Sequence, residues 1–451
     1  MRVIIYSDGP TVPTGFGTVV RNIFEPLVEQ GYFSYDDLSF FSINYSGEPH
    51  GTRFLCWPAQ IAQAMDPDLY GMRRFCQMVL NNQLGDFDVL FFVLDHFSLS
   101  QNLTFGKDTA PFVAGLISTI KHQQPQRRFK VIQYIPVDSN IVYPEWINWT
   151  ADLVDFPVAY TDFGKRVICD VEPSLARMDV IPHGADLKNF YPVPKHERDE
   201  FRARCFHVGP EVPLILNVNR NQPRKDIPRT LQVFREVLRS RPDAVLVTHM
   251  NRLDSAGFNL DRLRETFHIP TENMRVPAGF NEGVGVPIDE LNRIYNAADV
   301  FMTTARGEGW GLSLTEAMSA GVACVAPDHT SYREILAGEP MRGVLVKPEK
   351  HPDVMSRDND LPRPLTDVDA MSHAIVELVG DLPRRRALGA AAMAWTRTID
   401  WRTTVSEKWR GVFDRVKAEL AIAPAAPSIT TNPEAFLFKG LPQTTGAAPD
   451  A

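Results

Sequence analysis

Short apolar runs alternate with amphipathic stretches along almost the whole chain. Val3–Tyr6, Leu38–Ile43, Val89–Leu94, Lys130–Ile135, Pro157–Tyr160 and Asp179–Ile181 read as strands. Helical periodicity fits near 17–30, 66–82, 108–122 and 163–170. After a break at Tyr191-Pro-Val-Pro194 and the charged segment Lys195–Arg204, the alternation resumes. Its strands are Leu214–Val218, Ala244–Thr248, Arg275–Val276, Val300–Thr303, Val322–Ala326 and Val344–Val346. Its helices fit near 226–240, 259–267, 288–297, 314–320, 367–379 and 383–396. Strands that are apolar on both faces and separated by helices predict doubly wound parallel α/β sheets. We expect a domain over 1–194, a second over 195–398, and a charged amphipathic helix within 399–420. The Pro-, Ala- and Thr-rich stretch 421–451 reads as a disordered tail, Phe436-Leu-Phe438 included.

Composition narrows the class. At 451 residues the chain exceeds one ordinary core, so two domains are the prior. With 44% hydrophobic and 23% charged residues it reads as globular. A net charge of −8 argues against a nonspecific nucleic-acid binder. Five scattered cysteines (56, 76, 169, 205 and 324) show no zinc spacing and read as reduced, buried thiols. No run of 18 apolar residues is present, and the chain opens directly on the strand-like MRVIIY. A cytoplasmic location is the expectation, with peripheral contact at a membrane surface as an alternative. The triplets at Asn44, Asn102 and Asn148 then carry no glycan.

The chemistry concentrates in Ala305–Pro327, ARGEGWGLSLTEAMSAGVACVAP. Gly307, Gly309 and Gly311 permit backbone approaches that a side chain would block. A short helix follows, with Leu314, Ala317 and Met318 on one side and Gly321 as its stop. A loop feeding a helix N-terminus offers free N–H groups to a phosphate or to sugar hydroxyls. Glu308 and Glu316 flank it. Ser313-Leu-Thr-Glu316 is also a capping-box pattern, in which Glu316 would merely satisfy the Ser313 N–H. Capping explains neither Glu308 nor Trp310, which sits between glycines in a mobile-looking loop.

Glu308, seven residues, Glu316, then Ala-Met-Ser-Ala-Gly and an apolar strand resembles the E-x7-E region of retaining GT-B glycosyltransferases of family four. The resemblance covers about residues 1–420 and is strongest over 214–336. It implies two Rossmann-like domains facing a cleft and a C-terminal helix that crosses back to the first domain. It also implies a nucleotide-diphosphate sugar, of UDP or GDP type, as co-substrate, with no metal. In that reading Glu316 matches the position that binds the donor ribose, and Glu308 the one near the transferred sugar. Gly309, Trp310, Gly311 and Leu312 supply backbone N–H groups.

Arg220 and Lys225, in NRNQPRKD, match the family's pair of cations on the leaving diphosphate, with Arg224 a rival for either role. Gly15 and Gly17 resemble its N-terminal glycine loop, near the donor phosphates. Base recognition falls around Asn251–Arg252 and Pro277–Phe280, with Phe280 a donor contact. One departure stands out. Where many relatives carry a histidine after a central strand, this chain reads Gln133-Tyr-Ile-Pro-Val-Asp138. Asp138 is the first candidate for that space and His96, in Asp95-His96, the second. His183, in the interdomain turn, reads as structural.

Asp66-Pro-Asp68 and Asp358-Asn-Asp360 imitate metal motifs but follow no nucleotide-binding strand. The basic residues Arg73-Arg74 and Arg127-Arg128-Phe-Lys130 read as solvated. The acceptor is a hydroxyl on a glycan, a lipid-linked or small molecule, or a modified DNA base. Three other readings stand beside this one: a transferase acting on modified DNA bases or protein, a sugar phosphorylase of the same architecture, and an inactive nucleotide-sugar-binding scaffold.

Overall fold

The computed structural model describes residues 1–60, 70–100, 112–123, 128–276, 285–350, 353–356 and 359–422. Among the described residues, thirteen strands form two parallel sheets. The first holds β1 (Val3–Asp8), β2 (Leu38–Ile43), β3 (Leu55–Pro58), β4 (Val89–Val93), β5 (Lys130–Ile135), β6 (Phe156–Ala159) and β7 (Asp179–Val180), in the order β3-β2-β1-β4-β5-β6-β7. The second holds β8 (Leu214–Val218), β9 (Val245–His249), β10 (Met274–Arg275), β11 (Val300–Met302), β12 (Ala323–Pro327) and β13 (Val344–Val346), in the order β10-β9-β8-β11-β12-β13. Central strands such as β1, β4 and β12 are buried along their full length, because helices cover both faces of each sheet.

Both sheets reverse strand order once, between β1 and β4 in the first and between β8 and β11 in the second. At such a switch point the loops leaving the carboxyl ends part to opposite faces and open a crevice. The loop after β5 meets those after β8 and β11 there, where Asp138 approaches Arg224 and Gly307.

Some elements escape the apolar pattern. Strand β3 is a partly exposed edge ending in proline. The helices Pro144–Leu153 and Thr330–Leu336 were not expected. The charged segment after Pro194 is the helix Lys195–Phe201, followed by one wider turn. Between β13 and the helix Val368–Gly380, β14 (Val354–Met355) and β15 (Pro362–Arg363) form a small antiparallel hairpin.

After the helix Leu382–Thr396 the chain returns to the first half, and Asp400 bridges Ala185. The helix Ser406–Ile422 lays Trp409 and Phe413 against Phe91 and Phe413 against Phe24 and Phe33. Lys130–Glu419 and Tyr32–Asp414 contacts flank that seam. The cysteines are free, but only Cys76 and Cys324 are buried and Cys205 is exposed, which corrects the expectation of five buried thiols. Phe280, Pro277, Asp66, Asp68, Arg127, Asp358 and the tail beyond 422 lie outside the described residues. No helix among the described residues is long and apolar enough to cross a membrane.

Candidate active site

Strand β1 ends at Asp8, and the chain turns through Thr14 into the helix Gly15–Glu29. The Thr14 hydroxyl oxygen accepts from the Gly17 N–H at 3.1 Å and donates to Asp8 Oδ2 at 2.5 Å. Asn44 donates to the other Asp8 oxygen at 3.1 Å. Burial pushes the Asp8 pKa up, with Thr14, Asn44 and Arg220 partly offsetting it. The two glycines differ in what they do. A Cβ on Gly17 would lie 2.5 Å from the Gly9 carbonyl, so the turn itself requires glycine. Gly15 has room, and its nearest neighbour is Leu312 Cδ1, 3.9 Å from where a Cβ would be. Leu312 opens the helix Leu312–Ser319 in the other half. Two helix N-termini therefore approach each other across the crevice, an arrangement suited to an anion.

The loop after β8 makes a single turn, Pro223–Lys225, that aims two cations at the loop after β11. Lys225 ion-pairs with Glu308 Oε1, and Arg224 Nη1 lies 3.2 Å from Glu308 Oε2. Arg224 also donates to the Gly307 carbonyl, and its Nε is 3.5 Å from Asp138 Oδ2 in the first half. Burial would raise the Glu308 pKa, but Lys225 and Arg224 outweigh it and hold the carboxyl below its usual range. Asp138 behaves alike: burial is outweighed by Arg363, Arg224 and His96. Lys225, Glu308, Arg224, Asp138 and Arg363 thus form one chain of alternating charge. Cations in such a chain can change partners when an anion arrives, leaving the carboxylates for hydroxyl groups.

Other expected residues fall at varied distances from this cluster. Arg220 is half exposed and its Nε donates to Asp254 at 3.1 Å. Its positive charge favours the ionised form of Asp8, at the end of β1. Of the two arginines in this loop, Arg224 is the one that shares Glu308 with Lys225.

Glu316 does not close a capping box. The helix N-cap is Gly311, with φ +105° and no side-chain cap, and Glu316 accepts from the Tyr295 hydroxyl at 2.6 Å. Burial raises the Glu316 pKa to about 7; Asp186 adds to the shift, while Tyr295 and Arg21 oppose it. Trp310 corrects the picture of a mobile loop. It is 3% exposed, 5.6 Å from the His183 ring and stacked on Trp395 at 6.3 Å, so its ring anchors the loop. Ser331 donates to the carbonyls of Glu308 and Trp310 at 2.9 and 2.7 Å, fixing that backbone.

His96 is buried beside Trp146, with Nδ1 3.1 Å from the Pro136 carbonyl, and burial lowers its pKa to about 4. His183 meets the Tyr134 hydroxyl at 2.8 Å among Tyr160, Trp310 and Trp401. In the segment expected to recognise the base, Arg252 pairs with Asp261 at 2.6 Å. Sequence reasoning missed Asp8, Tyr295, Arg21 and Arg363. Asp8 alone had a signal, standing at the carboxyl end of the first strand.

Residues 272–358 match the family model for glycosyl transferases group 1. That segment contains Glu308 and Glu316. The chain is 25% identical over 283 residues to the sulfoquinovosyl transferase SQD2 of Arabidopsis thaliana, covering 61% of this chain and 48% of that protein. It is 29% identical over 266 residues to a GDP-mannose-dependent alpha-(1-6)-phosphatidylinositol monomannoside mannosyltransferase of Mycolicibacterium smegmatis, covering 56% and 60%. The aligned region thus spans about half the length of these curated relatives.

Among solved structures, sucrose-phosphate synthase from Thermosynechococcus elongatus superposes with a TM-score of 0.67 at 15% identity, over 93% of this chain and all of that one. Anabaena Alr3699/HepE in complex with UDP-glucose gives 0.66 at 11% identity, over 92% of this chain and all of that one. The fold is the two-domain GT-B architecture, and the family match and relatives support a group 1 glycosyltransferase.

Proposed function

We propose that the protein is a retaining glycosyltransferase that moves a sugar from a nucleotide-diphosphate donor to a hydroxyl acceptor. The observation that carries this reading is the Lys225–Glu308–Arg224 cluster at the facing carboxyl ends of the two sheets, beside converging helix N-termini. The donor diphosphate sits between Gly15, Gly17, Arg220 and Lys225. Glu308, released from its cations, accepts hydrogen bonds from the sugar hydroxyls, and Asp138 borders the same sugar. The backbone from Gly309 through Trp310 and Gly311 to Leu312 lines it. Glu316 takes the ribose hydroxyls.

The bond from the anomeric carbon to the phosphate oxygen breaks, and the acceptor oxygen bonds to that carbon from the same face. The acceptor proton passes to a phosphate oxygen of the leaving diphosphate. The cations stabilise the negative charge that builds there. The GDP-mannose dependence of one relative and the UDP-glucose bound to Alr3699/HepE favour a GDP- or UDP-sugar. Thermal-shift and calorimetric titration with UDP-, GDP- and ADP-sugars tests the reading. Stabilisation by one nucleotide sugar supports it; stabilisation by inorganic phosphate alone means a phosphorylase.

A pH dependence follows from Glu316. Its pKa of about 7 is raised by burial, so folding favours its protonated form. The stability this gives is present below the ordinary carboxylate pKa and lost as pH rises through about 7. Donor binding runs the opposite way, since the carboxylate grips two hydroxyls better than the acid. Donor affinity should fall about tenfold per unit below that pKa, and Glu316→Gln should flatten the profile. Calorimetric Kd values across this range check it; an unchanged slope in the variant removes Glu316 from the donor site.

A further inference from the structure

Between β13 and the helix Val368–Gly380 the second half sends an arm back across the crevice. Its base is closed by the Pro348–Thr366 bridge and by the Glu349 N–H donating to the Leu365 carbonyl at 2.9 Å. Strands β14 and β15 pair beyond that base. Leu361 is 1% exposed and joins an apolar cluster of the first half containing Val142, Trp146 and Ile147. The Tyr143 hydroxyl donates to the Asp360 carbonyl at 2.8 Å, and Ser139 donates to the Pro362 carbonyl at 3.3 Å. The arm is therefore seated in the first half by an apolar plug and by hydrogen bonds on both sides of it.

This seating delivers Arg363. Its Nη1 donates to the Asp138 carbonyl at 2.6 Å and its Nη2 to Asp138 Oδ1 at 3.0 Å. The other carboxylate oxygen faces Arg224, whose guanidinium reaches Glu308. The backbone is equally tight: a Cβ on Gly307 would lie 1.9 Å from the Asp138 carbonyl that Arg363 holds. Arg363 itself is 1% exposed and cannot reach a ligand, so any effect on chemistry passes through Asp138.

We propose that Arg363 is a positioning residue: the arm that bears β14 and β15 carries it across the crevice to fix Asp138, so that Arg224 stays shared with Glu308 and the halves stay shut over the reacting sugar. Its chemical consequence rests on the glycosyltransferase reading; the clamp itself does not. With one Asp138 oxygen and its carbonyl committed to Arg363, a single oxygen is left for Arg224. Without Arg363, the freed carboxylate can take Arg224 in a two-pronged bond and draw it off Glu308. The crevice would also part at Gly307 and admit water, which competes with the acceptor for the donor.

The test compares Arg363→Gln, Arg363→Lys, Asp138→Asn and the double variant Arg363→Gln/Asp138→Asn. Three quantities are read: donor Kd, kcat with the share of donor lost to water, and amide hydrogen exchange in 139–144 and 305–309. Arg363→Gln should lower kcat by about ten- to a hundredfold, the scale of a small misplacement at a reacting centre. Donor Kd should stay within about threefold, since the nucleotide contacts are untouched. The hydrolysed share and the exchange of both segments should rise, and Arg363→Lys should recover part of kcat. The double variant should be no worse than the worse single one, because both act through one contact.

Loss of donor affinity equal to the loss in kcat, multiplying effects in the double variant, or unchanged exchange would each overturn the proposal. If the unaltered protein neither binds nor uses a nucleotide sugar, the functional reading fails instead. Exchange and its non-additivity still decide the clamp in that case.

Discussion

Replacing Glu308 by glutamine, or Lys225 by alanine, is expected to cut sugar transfer by about ten- to a thousandfold, the range for a lost electrostatic stabiliser. The two variants remove different parts of one arrangement. Lys225→Ala takes away a buried ammonium that, in the proposed reaction, neutralises the departing diphosphate. Glu308→Gln keeps the side chain's shape but removes the negative charge that both Lys225 and Arg224 face. Its amide can still accept one hydrogen bond, so folding suffers less than it would with alanine.

The kinetic signatures should differ as well. The lysine variant should weaken nucleotide binding along with kcat, because phosphate is gripped before and during bond cleavage. The glutamine variant should lose kcat with nucleoside-diphosphate affinity nearly intact. Steady-state kinetics with the donor identified by titration separates the two. Turnover within about twofold of normal in both variants would remove the cluster from the chemistry.

How far this site was legible in the sequence depends on the range of each contact. The parallel sheets were readable because strands such as Val89–Val93 and Leu214–Val218 are buried on both faces and leave unbroken apolar runs. Strand β3 was not, since an edge strand reading Leu-Cys-Trp-Pro meets solvent and carries no such run. The helix Thr330–Leu336 was hidden by its start, where Thr330 adopts φ +47°, a conformation that residue type does not announce.

Within the site, Glu308 and Lys225 stood out because glycine-rich and basic loops follow predicted strands, which the fold brings to one edge. Trp310 misled: among glycines it suggested motion, yet its ring fills a gap between His183 and Trp395. Arg363 gave no local sign. Its partner Asp138 is 225 positions away and belongs to the other half. A contact across a crevice depends on how two sheets are set against each other, and no periodicity encodes that.

Trp409→Ala should destabilise the protein by about 3–5 kcal/mol, the cost of emptying a large buried aromatic site. Trp409 is fully buried on the helix that returns to the first half, 5.3 Å from the Phe91 ring and 4.9 Å from Tyr134. Relaxation cannot fill the space cheaply, because Phe91 belongs to the central strand β4 and Tyr134 to β5, both locked in the sheet. The effect should also reach the site. Tyr134 contacts His183 at 5.3 Å between ring centres, and His183 contacts Trp310 at 5.6 Å, in the loop that carries Glu308.

A cavity at Trp409 therefore loosens a stack of rings ending two residues from the Glu308 carboxylate. Denaturant unfolding followed by far-ultraviolet circular dichroism should show a lower midpoint. Hydrogen exchange at 305–311 should rise under conditions where the variant is still folded. The conservative Trp409→Phe should recover most of the stability and nearly all of the protection. A midpoint shift in Trp409→Ala without faster exchange in that loop would confine the helix to holding the first half together. Matched changes in both would make it a structural support of the site.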